Sequence, residues 1–335
     1  MLMRGVSEID SEISLTIDGT FDVDVHVDEV YDTSAKLDMG SSTLTQDGHL
    51  TVKADQTGGY DATLEITAGT VNVASGKKTK IEGGGDTDNA VATLKLSGAT
   101  CDPADLQLSG GESAVRKAFL DLDSGTLTNP DTLKMEGYAE IDSEINISVV
   151  GALTVDRDAG DAFDTDAHVD MNTGTALTVG SMTIGHTSRS VTLTLQGEGT
   201  CAISGKVSTV KPTSDNVHPK LAVASTVASP VTADSMEIAG GDVAIRSAQL
   251  DFDQNVTVSG DVDVEQYVDI DIASGETLTI DNDLLIGNDD GVNDDYDGVL
   301  TVSGGGTISA DRIVIEGESG TGSSLTVSSS TVETS

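Results

Sequence analysis

Self-similarity constrains this chain more than any other feature. Glu8-Ile9-Asp10-Ser11-Glu12-Ile13 returns unchanged as Glu140-Ile141-Asp142-Ser143-Glu144-Ile145. Each copy is followed by F-D-x-D-x-H-V-D, first at 21–28 and again at 163–170. Asp261-Val262-Asp263-Val264-Glu265 is a degenerate third version. Gly111, Arg116, Ala118, Leu120, Asp121 and Asp123 also match Gly241, Arg246, Ala248, Leu250, Asp251 and Asp253 at a constant offset. Such a chain folds as stacked copies of one supersecondary unit, because no copy buries its apolar face alone. The matches divide one continuous array, 1–335, into a repeat over 8–139, a second over 140–249 and a truncated third over 250–335.

A shorter motif runs inside these repeats: x-L-x-[LIV], two to four small residues, then T-[VIC]. It occurs as Leu64-Glu65-Ile66 with Thr70-Val71 and as Leu94-Lys95-Leu96 with Thr100-Cys101. Later copies include Leu193-Thr194-Leu195 with Thr200-Cys201, and Leu325-Thr326-Val327 with Thr331-Val332. Alternating apolar and polar residues mark half-buried strands, and the small residues between them mark a corner. No segment sustains the i, i+3, i+4, i+7 pattern of a helix. The expectation is an all-β chain, a parallel β-helix or β-solenoid with essentially no α-helix. A β-sandwich array would require aromatic-rich cores, but aromatics are 3% of this chain and Trp is absent. A narrow interior of Val, Ile, Leu, Thr and Ala suits a solenoid.

Gly298-Val299-Leu300-Thr301-Val302-Ser303-Gly304-Gly305-Gly306-Thr307-Ile308 resembles the strand repeats of right-handed parallel β-helices in bacterial autotransporter passengers and filamentous-haemagglutinin-type adhesins. That resemblance implies an extracellular or cell-surface β-solenoid.

Charge narrows the partners. Lys+Arg number 17 against 57 Asp+Glu, a formal net charge of −40, which repels nucleic acid and anionic membranes. No apolar run approaches the roughly 20 residues of a membrane span. Cys101 and Cys201 are too few for a disulfide scaffold and form no zinc-ligand cluster. Both fall at inward strand positions, where they read as small buried hydrophobes. In the motif alignment Cys101 corresponds to Val227 and Val332, and Cys201 to Val71 and Ile308. The sequons at Asn146-Ile147-Ser148 and Asn255-Val256-Thr257 weakly favour an exterior setting.

Two acidic patterns are candidate cation sites. At strand period, Asp22, Asp24, His26 and Asp28 share one face, as do Asp164, Asp166, His168 and Asp170. Carboxylate oxygens suit calcium, and an imidazole adds affinity for transition metals. The second pattern is Asn288 with Asp290, Asp294 and Asp297, which resembles the latter half of a calcium loop but has Ile286 at the first ligand position. Calcium is the cofactor these patterns suggest. The rival reading is an acidic solvated surface.

No nucleophile elbow or comparable catalytic signature is present, so the chain reads as a non-enzyme. A polysaccharide-active β-helix enzyme is the weakest alternative, since basic residues are scarce and Trp is missing. An ice-binding solenoid needs regular outward Thr ranks, and the motif positions Glu65, Lys95, Thr194, Ala222, Thr301 and Thr326 are mixed. The leading expectation is a structural extracellular subunit whose open coil edges pair with further copies of itself. The alternative is an adhesin stalk that contacts surface polysaccharide or another cell.

Overall fold

The computed structural model describes residues 1–25, 31–54, 59–84, 89–157, 163–228, 230–287, 298–316 and 322–334. It is an all-β parallel solenoid. Among the described residues the only helical segments are two single 3-10 turns, Ala114–Arg116 and Ala244–Arg246. Among these residues no helix is long and apolar enough to cross a membrane. The chain forms two compact units, one of 1–154 with 158–177 and one of 155–157 with 178–335.

In the N-terminal unit each coil contributes strand runs to two ladders. One ladder passes through Val6–Asp10, Thr33–Gln46, Ala62–Val73, Ala92–Asp102, Ala118–Leu127, Tyr138–Ser143 and Thr165–Met171. The other includes Leu2–Met3, Phe21–Asp24, Leu50–Lys53, Lys78–Glu82, Asp105–Ser109 and Thr132–Glu136. Register is strict along the interior. Ala62, Ala92, Ala118, Ala139 and Ala167 stack as one column. Beside them Ala35, Leu64, Leu94, Leu120, Ile141 and Val169 form the next. Every one of these side chains is buried. The alternation places each apolar residue where its copy in the next coil covers it, so the core is built one coil at a time.

The C-terminal unit follows the same plan. Val191–Gly197, Pro219–Val223, Ala248–Phe252, Tyr267–Ile272, Val299–Ser303 and Ser324–Val327 form one ladder. Thr200–Thr209, Val231–Ala239, Thr277–Ile286, Thr307–Ile315 and Thr331–Thr334 belong to the other. Phe252 is fully buried here and Phe21 in the N-terminal unit; Val, Leu, Ile and Ala make up most of the rest, with Met39, Met135, Met182 and Met236 among them.

The small residues of the short motif act differently in the two units. In the N-terminal unit Ser97-Gly98-Ala99 bulges within one continuous strand, and Gly98 takes the left-handed conformation at φ 116°. In the C-terminal unit the motif turns a corner between ladders: Leu193 and Leu195 lie in one sheet, and Thr200–Thr209 in the other.

Two copied segments keep their local geometry. In both copies of E-I-D-S-E-I the serine folds back on the chain: Ser11 Oγ donates to Ile13 O at 3.0 Å, and Ser143 Oγ to Ile145 O at 2.7 Å. Gly111 and Gly241 each donate to the carbonyl of the arginine five residues on, at 2.8 and 2.7 Å, closing identical corners around the two 3-10 turns.

The cysteines are buried and free. Cys101 stacks between Val71 and Leu127, an inward position among aliphatic side chains, as the motif alignment expects. Burial pushes both thiols up to about 12, which leaves them protonated and unreactive near neutrality.

Truncation of this core is expected to be costly. Leu94→Ala removes a buried branched side chain from a column with little room to collapse, and should cost about 2–5 kcal/mol. The neighbouring outward change Thr93→Ala should stay within about 1 kcal/mol. Denaturant midpoints of the two variants test the assignment of inner and outer faces.

Candidate functional site

The outer face of the strands Ala118–Leu127, Tyr138–Ser143 and Thr165–Met171 carries the densest set of titratable groups built from predicted site residues. Strand alternation puts Thr165, Ala167 and Val169 inside and Asp166, His168 and Asp170 outside, as the sequence pattern requires. Asp164 lies just before this strand and is exposed. Register then places Tyr138 beside Asp166, Glu140 beside His168 and Asp142 beside Asp170. One coil further, Phe119 faces Glu140 and Asp121 faces Asp142.

The contacts in this patch are specific. His168 Nε2 lies 3.1 Å from Asp166 Oδ1, and its ring packs on Tyr138 with centroids 5.3 Å apart. Lys117 Nζ donates to Glu140 Oε2 at 2.7 Å and sits 4.2 Å over the Phe119 ring. Lys95 Nζ reaches Asp121 at 2.8 Å and Asp123 at 2.5 Å. Asp166 raises the His168 imidazole above its ordinary value, with Glu140 adding to the effect. Burial raises the Asp142 carboxyl, and Asp170 and Asp121 reinforce it. Asp121 is raised chiefly by burial, whereas the hydrogen bond from Lys95 lowers Asp123.

One column of register partners adds to the burial that raises Asp142. Glu8, Lys36, Glu65, Lys95, Asp121, Asp142 and Asp170 are successive register partners. Signs alternate through the first five. They then fail at Asp121, Asp142 and Asp170, where three carboxylates stack one strand apart, roughly 4.8 Å. Like charges at that spacing disfavour ionisation.

The other predicted residues lie elsewhere. Asp22 and Asp24 face outward on Phe21–Asp24, opposite Thr51 and Lys53, over the buried Phe21 and Val23. This strand belongs to the second ladder and Thr165–Met171 to the first, so the two F-D-x-D-x-H-V-D copies are not structurally equivalent. The spacing from E-I-D-S-E-I to each copy differs, and coil length rather than motif identity decides which sheet a segment joins. His26 and Asp28 lie outside the described residues, as do Asn288, Asp290, Asp294 and Asp297. Among the described residues no group of three or more His, Cys, Asp or Glu is arranged to hold a metal ion.

Sequence reasoning missed Lys95, Asp121 and Asp142 as members of one patch. Asp121 stood out only as part of a repeat, because its neighbours in space are set by register across coils of unequal length. A further carboxylate on the second ladder, Glu136, is buried. It accepts hydrogen bonds from Gln107 Nε2 at 2.8 Å and Ser109 Oγ at 2.9 Å and pairs with Lys134 at 2.5 Å. Those partners satisfy a buried charge and make its role structural.

The arrangement holds charges and protons on the outer face of a regular sheet. Compared with known proteins, the chain matches no family model, no curated protein and no solved structure.

Proposed function

We propose that this chain is a structural β-solenoid subunit that stacks end to end with further copies into a filament or surface array, in an extracellular or cell-surface setting. The observation that carries the reading is the state of the inward side chains at the two outermost coils. Ile9, Leu15 and Ile17 are partly exposed, whereas their register partners one coil inward include Leu37 and Leu44, both fully buried. At the other edge Val327 is 41% exposed and Leu325 partly so, while their partners Val302 and Leu300 are fully buried. Each edge thus offers apolar side chains and strand groups in the geometry that the next coil would use.

A second copy fits these edges in one sense. The ladder pairings at both edges are parallel, so joining the Val6–Asp10 edge of one copy to the Ser324–Val327 edge of another continues the parallel pairing. Joining like edges would force antiparallel pairing. A contact between unlike edges is heterologous, and it gives an open polymer where its rotation does not close a ring. The acidic surface, the two sequons and the resemblance to secreted β-helices support an exterior setting.

Sedimentation velocity and negative-stain microscopy in 1 M sodium chloride test the proposal. Linear assemblies are expected, and Leu325→Asp with Val327→Asp should convert them to single subunits that keep the strand signal in circular dichroism. Monodisperse single subunits of the unaltered protein at high concentration would overturn it.

A further inference from the structure

The C-terminal unit carries a lateral groove of about 420 Å³ on the outer face of one ladder, lined by Lys220, Gln249, Asp251, Asp269, Asp271 and Ser303. We propose that this groove binds a polyhydroxylated ligand, a glycan segment that carries no anionic groups.

The lining forms two ranks. Lys220, Gln249 and Asp269 are successive register partners, and Asp251, Asp271 and Ser303 form the parallel rank two residues along each strand. Ranks of this kind repeat at roughly 4.8 Å across strands and about 7 Å along them, on a backbone that cannot shift without breaking the ladder. Part of the lining is already committed. Lys220 Nζ pairs with Asp251 at 2.8 Å, and Ser303 Oγ donates to Asp271 at 2.9 Å. The side chains of Gln249 and Asp269 have no hydrogen-bond or ion-pair partner among the described residues, although they face each other in register.

An amide that both donates and accepts, next to a carboxylate that accepts, matches the alternating donors and acceptors of a sugar ring. A carboxylate takes two neighbouring hydroxyl groups at once. Three carboxylates against one lysine repel uronic or sulfated chains, which limits the ligand to neutral or amino-bearing sugars. The groove reaches Ser303, on the strand next to the Ser324–Val327 edge, while Lys220, Gln249 and Asp269 lie on strands further in.

Calorimetric titration of the full chain with cellohexaose, hexaglucosamine and a polygalacturonate hexamer tests the proposal. Binding of the neutral or amino-bearing oligomer is expected, with no binding of the polygalacturonate. Gln249→Ala with Asp269→Ala should weaken affinity at least tenfold while the melting temperature stays unchanged, because both side chains point outward. Failure of the neutral and amino-bearing oligomers to bind at millimolar concentration would overturn the proposal. So would affinity unchanged in the double variant, or a preference for polygalacturonate.

Discussion

Alanine at Gly110 or Gly240 is expected to cost about 3 kcal/mol or more, a large effect for the addition of one methyl group. Neither position needs a left-handed backbone. The obstacle is proximity. A Cβ on Gly110 would lie 1.9 Å from the carbonyl oxygen of Tyr138, and one on Gly240 would lie 1.8 Å from that of Tyr267. The obstructing atoms are main-chain atoms of the next coil and cannot rotate aside. The glycines are held in place as well: Gly110 N donates to Glu136 O at 2.9 Å, and Gly240 N to Glu265 O at 3.0 Å. Relief would require separating coils and losing ladder hydrogen bonds on both sides. Gly76→Ala is the control, since nothing lies within 4 Å of its Cβ position and only its φ of 73° opposes the change. That strain is about 1–2 kcal/mol. Urea unfolding followed by circular dichroism should rank Gly110→Ala and Gly240→Ala together, well below Gly76→Ala. Equal penalties at the first two would also support the copied corner as one structural device used twice. A loss under 1 kcal/mol at either position would show that the coils separate more easily than their contacts imply.

The same corners show what a reader of the sequence could and could not see. Strand alternation was legible because burial enforces it residue by residue: Leu64, Ile66, Leu94 and Leu96 are all fully buried. The near absence of helix followed from the same periodicity. The repeated Gly-Arg segments were visible as text, although their 3-10 turns were not. Register was not legible. Ala62, Ala92, Ala118, Ala139 and Ala167 are stacked neighbours, yet their spacing in the chain varies from coil to coil because loops outside the ladder absorb the difference. A motif's position in its repeat therefore does not say which residue lies above it. This is why the two F-D-x-D-x-H-V-D copies joined different sheets, and why Asp121, Asp142 and Asp170 emerged as one column only in three dimensions. The groove around Gln249 and Asp269 was hidden for the same reason, since its lining comes from four strands.

Mild acid and added salt should both stabilise this protein. A net charge of −40 opposes a compact state through self-repulsion, and raising salt from 0.1 M to 1 M shortens the screening length from about 10 Å to about 3 Å. Acid acts through identifiable groups. Asp121, Asp142 and Asp263 are raised above the ordinary carboxylate value, in each case mainly by burial. Their protonation is therefore easier in the folded state. The stability it confers is complete below about pH 4 and is lost as pH rises through the raised values. His168 is also raised, held by Asp166 with Glu140 beyond and opposed by Lys117. Its contribution is complete below about pH 6.5 and is lost above its folded value. Asp38 and Asp123 oppose the trend. The backbone amide of Gly40 lowers the first and the Lys95 ammonium the second, so their contributions hold above about pH 4 and vanish as pH falls further. The melting temperature should therefore peak between about pH 4 and 6.5, falling toward pH 8 and again in stronger acid. Asp142→Lys would restore alternating signs between Asp121 and Asp170, and should raise the melting temperature at pH 8 while flattening the gain on acidification. Calcium separates screening from specific sites. If millimolar calcium stabilises far more than sodium chloride of equal ionic strength, the carboxylates bind it directly; equal effects mean screening. A melting temperature that is highest at pH 8 and indifferent to 1 M salt would show that the stacked carboxylates impose no net strain on the fold.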